Sequence, residues 1–288
     1  MRAFDTTIAE IGRAPANDAY SEVMVGGLRT VCLSRAQLAA QMVHDCLAAR
    51  ETAATPKLVF AANGHGIALA GRDANFGALF EAADLVHADG QAVVFASHFT
   101  RSPIPERSAT TDFIHDAAKT AVEQGLRFYL LGATEETNAR AAEILAQTYP
   151  GLQIVGRRHG YFSPDEEEDI CDEINLCTPD VIWVGLGVPR EYEFAVRNRS
   201  FLQAGWLVTC GGCFNFVTGA YRRAPIWMQK AGVEWDHRLW REPKRLLWRY
   251  ALTNPLAIFL LLTRTSSKLT ERPAHSQIRA EEQARLAS

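Results

Sequence analysis

No apolar run in the 288-residue chain approaches the roughly 20 residues that a membrane-crossing helix needs. The opening stretch "MRAFDTTIAEIGRAPANDAY" has no continuous apolar core of the kind a secretory signal requires, so a cytosolic protein is the expectation. Neither sign of charge dominates: 30 Lys and Arg face 33 Asp and Glu, for a formal charge of -3. A dedicated nucleic-acid-binding domain is usually strongly basic, and this balance argues against one. No internal repeat is visible, and neither a Ser–His–Asp order nor an HExxH pattern stands out. Of six cysteines, only Cys210 and Cys213 are closely spaced, in "CGGC". A zinc site would need a second tight pair, which Cys171 and Cys177 are too far apart to supply. A redox pair should open a helix, yet glycines fill the gap here. The cysteines therefore read as reduced thiols buried as small hydrophobes.

What is present is enough chain for one large domain, or a domain with an appendage, around a real core. Residues 1–22 read as a loose arm. "VMVGGLRTVCLS" reads as a hairpin. Ser34 with Gln37 forms a capping box, and Leu38, Met42 and Cys46 share one helical face. A strand–helix rhythm follows. The strands are "KLVFAAN", "DLVHADG", "LRFYLLG", "LQIVG", "DVIWVGLG" and "WLVTCGG". A helix from Gly66 to about Gly71 and helical "QAVVFASHF" lie between them. Thr110 or Thr111 caps the next helix, and Gly125 ends it. "EETNARAAEILAQTY" is closed by Pro150 and Gly151. Ser163 and Pro164 open an acidic helix start, and "REYEFAVRNRSFLQAG" is helical. Short apolar strands alternating with helices predict a parallel, doubly wound α/β sheet covered on both faces. Ligands of such sheets sit beyond the carboxyl ends of the strands.

The residues just past each strand are therefore the candidates. They are Asn63 and His65, Asp89 and Gly90, "GAT" from Gly132, "GLGVPRE" from Gly185, and "GGCFNF" from Gly211. Glycine-rich turns at helix starts suit a nucleotide diphosphate, or they simply make short βα turns. "GLGVPR" lacks the third glycine of a dinucleotide fingerprint, which disfavours NAD. Asp89 is either a general base for a hydroxyl or a turn residue that caps a helix. His65 either binds a ligand hydroxyl or caps a turn. Near the end, "EWDHRLWREPKRLLWRY" interleaves arginines with large aromatics, for which phosphate, nucleic acid and a membrane surface are competing explanations.

These strand ends and the segments "VHADGQAVVFA", "VGLGVPREYEFAV" and "GGCFNFVTGAYRRAPIWMQKAGVEWDHRLWREPKRLLWRY" resemble the WecG/TagA/CpsF glycosyltransferases from about Val23 to Tyr250. The resemblance implies a Rossmann-like catalytic domain at 23–225 that binds a UDP-sugar. It implies a helical, membrane-associating appendage at 226–265, followed by a polar tail at 266–288. It also implies inverting transfer without metal or other cofactor, to a polyprenyl-diphosphate-linked acceptor at the inner face of the plasma membrane. The products of such enzymes are exopolysaccharide, capsule or wall polymers. Homo-oligomers are compatible with it, and nucleic acid is not a partner.

Carried over by motif, Asp89 takes the catalytic-base position. Asn63, His65, Arg107, Asp112 and Glu191 line the substrate side. Gly132, Gly185, Gly187, Gly212, Arg223, Arg238, Arg245 and Arg249 face the donor diphosphate. Arg249 adjoins a third arginine position that Trp248 occupies. The chain departs from the family pattern at Ala61 (usually Thr), Thr110 (Gly), Glu191 (Gln) and Asn215 (Asp), all near the sugar pocket. Trp240, Trp248 and Tyr250 with "NPLAIFLLLT" are expected at the membrane interface, and Arg241, Lys244 and Arg264 against anionic lipid. The rival readings are a nucleic-acid module, diluted here by acids, and a catalytically inactive membrane scaffold.

Overall fold

A hairpin opens the described chain because Gly26 and Gly27, both at positive φ, let it reverse between β1 (Glu22–Val25) and β2 (Leu28–Val31). The computed structural model describes residues 20–52, 54–241 and 243–269; at Trp235, His237, Arg238, Arg241, Lys244, Arg245 and Leu246 it describes the backbone alone. The expected N-terminal arm up to residue 19 and the tail from 270 lie outside the described residues.

Helix α1 (Arg35–Thr52) starts at the Ser34–Gln37 box: Gln37 N–H donates to Ser34 Oγ and Ser34 N–H to Gln37 Oε1. β3 (Lys57–Ala62) leads to α2 (Gly64–Arg72) and α3 (Ala74–Glu81). β4 (Leu85–Ala88) is followed by α4 (Gln91–Ser97) and α5 (Thr110–Gln124). β5 (Arg127–Gly132), α6 (Glu135–Thr148) and β6 (Gln153–Arg158) come next. A 3₁₀ turn at Pro164–Glu166 enters α7 (Glu167–Leu176), then β7 (Val181–Gly185), α8 (Arg190–Asn198), β8 (Trp206–Thr209) and α9 (Cys213–Val217). Helices α10 (Ile226–Ala231), α11 (Glu234–Arg241) and α12 (Pro243–Thr263) complete the fold.

Six strands form one parallel sheet in the order β4-β3-β8-β7-β5-β6. Side chains alternate between two buried clusters. Phe60, Ile182 and Val184 pack with α2, α3, α7, α8 and α12 on one face. Val59, Val181 and Trp183 pack with α1, α5, α6 and α9 on the other. The doubly wound α/β sheet is thus as expected. Because all six strands are parallel, the turns after β3, β4, β5, β7 and β8 share one edge.

Five details differ from the sequence expectations, the first being that helix α8 stops at Asn198, short of the Gly205 to which the sequence reading carried it. Helix α3 was not anticipated; Asp73 caps it, accepting from Asn75 and Phe76 N–H. Helix α5 is preceded by Ala109 rather than capped by a threonine, and Thr110 is its first residue. Tyr250 is buried, so its ring is no interfacial anchor. The polar tail expected from residue 266 is tied at its start, where the Ser266 backbone N–H and C=O pair with those of Met24.

Helix α12 carries two apolar faces. Ala257, Leu260 and Leu261 are buried against Gly64, Gly71 and Gly26, closely enough that a Cβ on Gly71 would stand 2.3 Å from Leu260 Cδ1. Ile258, Phe259 and Leu262 are left 58%, 59% and 69% exposed. No helix among the described residues is long and apolar enough to cross a membrane.

Candidate active site

Asn63 follows β3 directly and caps α2, its Oδ1 accepting from Gly66 N–H at 3.0 Å. Its Nδ2 donates to Asp89 Oδ2 at 3.2 Å, across the ends of the paired strands β3 and β4. Asp89 Oδ1 accepts from the backbone N–H of Thr110 at 2.9 Å and from the Thr110 hydroxyl at 3.3 Å. Asp89 therefore caps a helix, but the distant α5 rather than the α4 that follows it. The free N–H at the start of α5 is aimed at the carboxylate.

Burial alone would push the Asp89 pKa up. The Arg107 guanidinium, the Thr110 N–H, His87 and the Asn63 amide outweigh it, and the carboxyl sits below its ordinary range. Asp89 is thus an oriented, ionised carboxylate, partly exposed at the sheet edge. Such a group can take a proton from a hydroxyl brought to it.

Arg107 joins the sheet edge to the C-terminal helices. Its Nε donates to Asp89 C=O at 2.6 Å, and its other arm donates to Glu234 Oε2 at 2.7 Å. Arg223 makes a bidentate pair with Asp112, at 2.9 and 3.1 Å, donates to Gln229 Oε1 and also bonds the Thr111 hydroxyl. Glu234 lies 3.7 Å from Arg223 Nε, so this one carboxylate faces both arginines. Glu234 opens α11 and carries no role in the sequence reading; its place in the first helical turn was the available signal.

The glycine turns divide by their surroundings. Gly132 and Gly185 are paired strand residues, and a Cβ on Gly132 would stand 2.3 Å from Gly185 O. A Cβ on Gly185 would meet Gly211 O at 2.9 Å. These two permit close backbone approach within the sheet edge. Gly212 faces Tyr221 and Asn215. Gly187, at φ +79°, has open space above it. Glu191, in the first turn of α8, is buried, and its Oε2 accepts from Gly187 N–H at 3.0 Å and Gly211 N–H at 2.9 Å. Burial raises its pKa to about 8, against the pull of those N–H groups and with a further push from Asp89. Gly211 opens the candidate turn past β8, and its positive φ is visible only in the structure.

His65 sits in the first turn of α2. Burial and then the Arg249 charge lower its pKa to about 4, so the ring is neutral at physiological pH. Its Nδ1 and Arg249 Nε are buried and carry no hydrogen bond. Arg249 also stacks on Tyr250, 5.1 Å from the ring centre. Asn63, Asp89, Arg107 and Glu191 thus gather at the edge, with His65 and Arg249 beside them. Asp112 and Arg223 pair with each other. The side chains of Arg238 and Arg245, on α11 and α12, lie outside the described residues.

The sequence profile of the glycosyl transferase WecG/TagA/CpsF family matches residues 23–271. Three curated proteins of Staphylococcus aureus, from strains MRSA252, MW2 and NCTC 8325 / PS 47, are each 32% identical over 168 residues. Each bears the name N-acetylglucosaminyldiphosphoundecaprenol N-acetyl-beta-D-mannosaminyltransferase. The match covers 58% of this chain and 65% of each relative, so the chain spans a little under two thirds of their length. With a match across most of its length and a polar cluster at the edge where the segments quoted above converge, the chain belongs to the WecG/TagA/CpsF family of glycosyl transferases.

Proposed function

We propose that the chain is an inverting glycosyltransferase that moves a sugar from a UDP-sugar to a hydroxyl of a polyprenyl-diphosphate-linked saccharide. The observation that carries this reading is the Asp89 carboxylate, held at the end of β4 by Asn63 and by the N-terminus of α5. Asp89 takes the proton from the acceptor hydroxyl as that oxygen bonds to the anomeric carbon. The bond from that carbon to the donor phosphate breaks, and UDP leaves with the electron pair. Attack from the face opposite the leaving group inverts the centre. The β-linked product in the relatives' name is what inversion of an α-linked nucleotide sugar would give.

Leaving-group charge falls to arginine in this reading. Arg249 of α12, beside the start of α2, is assigned this role, together with Arg238 of α11 and Arg245 of α12, which the resemblance implies. Guanidinium keeps its charge at any relevant pH and meets phosphate bidentately. Residues 23–225 are assigned to donor binding and catalysis, and 226–265 to the clamp and the membrane. The outward face of α12, together with Trp240 of α11 and Trp248 of α12, 80% and 72% exposed, is assigned to lipid. A lipid-linked acceptor places the enzyme at the cytoplasmic membrane surface.

Calorimetric titration with UDP, and with ADP as the control nucleotide, tests the donor reading. UDP binding that weakens at least tenfold in Arg249→Ala is expected. Equal binding of both nucleotides, or none of either, would contradict it.

A further inference from the structure

His87 is the one polar residue of strand β4, two positions before Asp89, and it is buried. Its neighbours Val86 and Ala88 join the core cluster on the α2 side. The imidazole points the other way, under the first turn of α5, where its ring centre lies 6.0 Å from that of Phe113. A polar ring set among hydrocarbon costs stability unless it holds something. What it holds is Ser108, also buried: His87 Nδ1 and Ser108 Oγ are 3.1 Å apart. The same hydroxyl donates to Ala88 C=O at 3.2 Å, and the Ser108 N–H donates to that oxygen at 2.8 Å. A hydroxyl has one proton to give, so Ser108 accepts from His87 and the imidazole carries its hydrogen on Nδ1. Its Nε2, a bare lone pair in this tautomer, has no partner.

Ser108 lies between the two residues that reach Asp89 from this side. Arg107 donates to the Asp89 backbone carbonyl, and Thr110 donates to its carboxylate. Where Ser108 is tied to β4 therefore decides where both donors stand. We propose that His87 is a positioning residue for Asp89. Through the Ser108 hydroxyl its ring fixes the height of residues 107–110 over β4, and with it the aim of Arg107 and of the α5 N-terminus. The inference rests on the transfer reading above, in which Asp89 is the base. With its ring buried, His87 acts through Ser108 and not on the substrate.

The test is the pH profile of transfer by the whole chain, from labelled UDP-N-acetylhexosamine to polyprenyl-diphosphate-linked N-acetylglucosamine. Wild type is compared with His87→Phe, Ser108→Ala and the double variant. Phenylalanine keeps a ring in the space and removes the donor. Ser108→Ala leaves the imidazole in place and cuts the link alone, so it decides the matter should His87→Phe not fold. Arg107 and His87 favour the Asp89 anion, while Glu191, Tyr192 and Cys213, which feel its charge, titrate at higher pH. The acid limb of kcat/KM therefore reports Asp89. Each single variant is expected to lose about tenfold in kcat with the donor KM within about twofold, since a misaimed base costs transition-state stabilisation alone. The acid limb should move up by about one pH unit, because loosened donors hold the anion less. The double variant should be no worse than either single one, as both cut one link. A wild-type profile in Ser108→Ala, losses that multiply in the double variant, or an acid limb that vanishes in His87→Phe would each overturn the proposal while leaving transfer intact. No transfer by wild type would remove the base assigned to Asp89 and this inference with it.

Discussion

Asn63 and Asp89, the first residues beyond two neighbouring parallel strands, share a 3.2 Å hydrogen bond from amide to carboxylate. The same amide oxygen caps α2, so the helix start and the carboxylate are fixed by one side chain. Asn63→Ala removes both functions. The expected stability loss is about 1 kcal/mol, typical of an N-cap, read by denaturant unfolding. Turnover should fall further than that stability loss explains, because Asp89 loses the donor on its Oδ2.

Arg107 sets both the position and the ionisation of Asp89. Arg107→Ala removes the positive charge that most lowers the Asp89 pKa. The pKa should rise, and the acid limb of the kcat/KM profile should move to higher pH. Glu234→Gln weakens the same latch from the other side. It should speed backbone hydrogen exchange in α11, with the core strands unchanged.

Glu191 links pH to stability with a definite sign. Its ordinary value is 4.5, and in the fold it is about 8. Between these values the folded chain holds a proton that the unfolded chain has released, so stability falls as pH rises through that window. Glu191→Gln lacks this term. It should be more stable than wild type above pH 8, by of the order of a few kcal/mol, and lose the advantage as pH falls toward 4.5. Thermal unfolding at both ends of the window reads the difference.

The two faces of α12 should respond differently. Leu260, buried against Gly71, should cost about 2–5 kcal/mol when cut to Ala. Phe259→Ser with Leu262→Ser should leave folding stability within about 0.5 kcal/mol per site, since both side chains are exposed. The same double variant should lose binding to vesicles containing anionic lipid, measured by co-sedimentation.

Features set by near neighbours in the chain were legible in the sequence. The Ser34–Gln37 box and the Gly125 stop, at φ +63°, depend on residues within one turn, and both are present. Asp89 stood out for a related reason: an apolar strand that ends in Asp-Gly must deliver the carboxylate to the sheet edge. What was not legible depends on residues far apart in sequence. Thr110 reads as a cap from its own neighbourhood, but Asp89, 21 positions earlier, supplies that oxygen. Glu191 reads as a polar residue facing ligand, yet its carboxyl is turned under the glycine turns by contacts 4 and 20 positions away. The apolar stretch of α12 reads as a single wedge, because only the tertiary fit against α2 divides it into a buried and an exposed face. Helix α3 is eight residues long and strongly apolar, too short for its periodicity to be distinct from a strand.

The most direct measurement is single-turnover transfer of labelled N-acetylhexosamine from its UDP donor to a polyprenyl-diphosphate-linked N-acetylglucosamine, by wild type and Asp89→Asn. Asparagine keeps the shape of the side chain and an oxygen that can accept from Thr110. The account predicts an inverted, β-linked product from wild type, and a rate about 10²–10⁴-fold lower in the variant at unchanged UDP affinity. An Asp89→Asn protein that transfers at the wild-type rate, or a product with retained configuration, would contradict it.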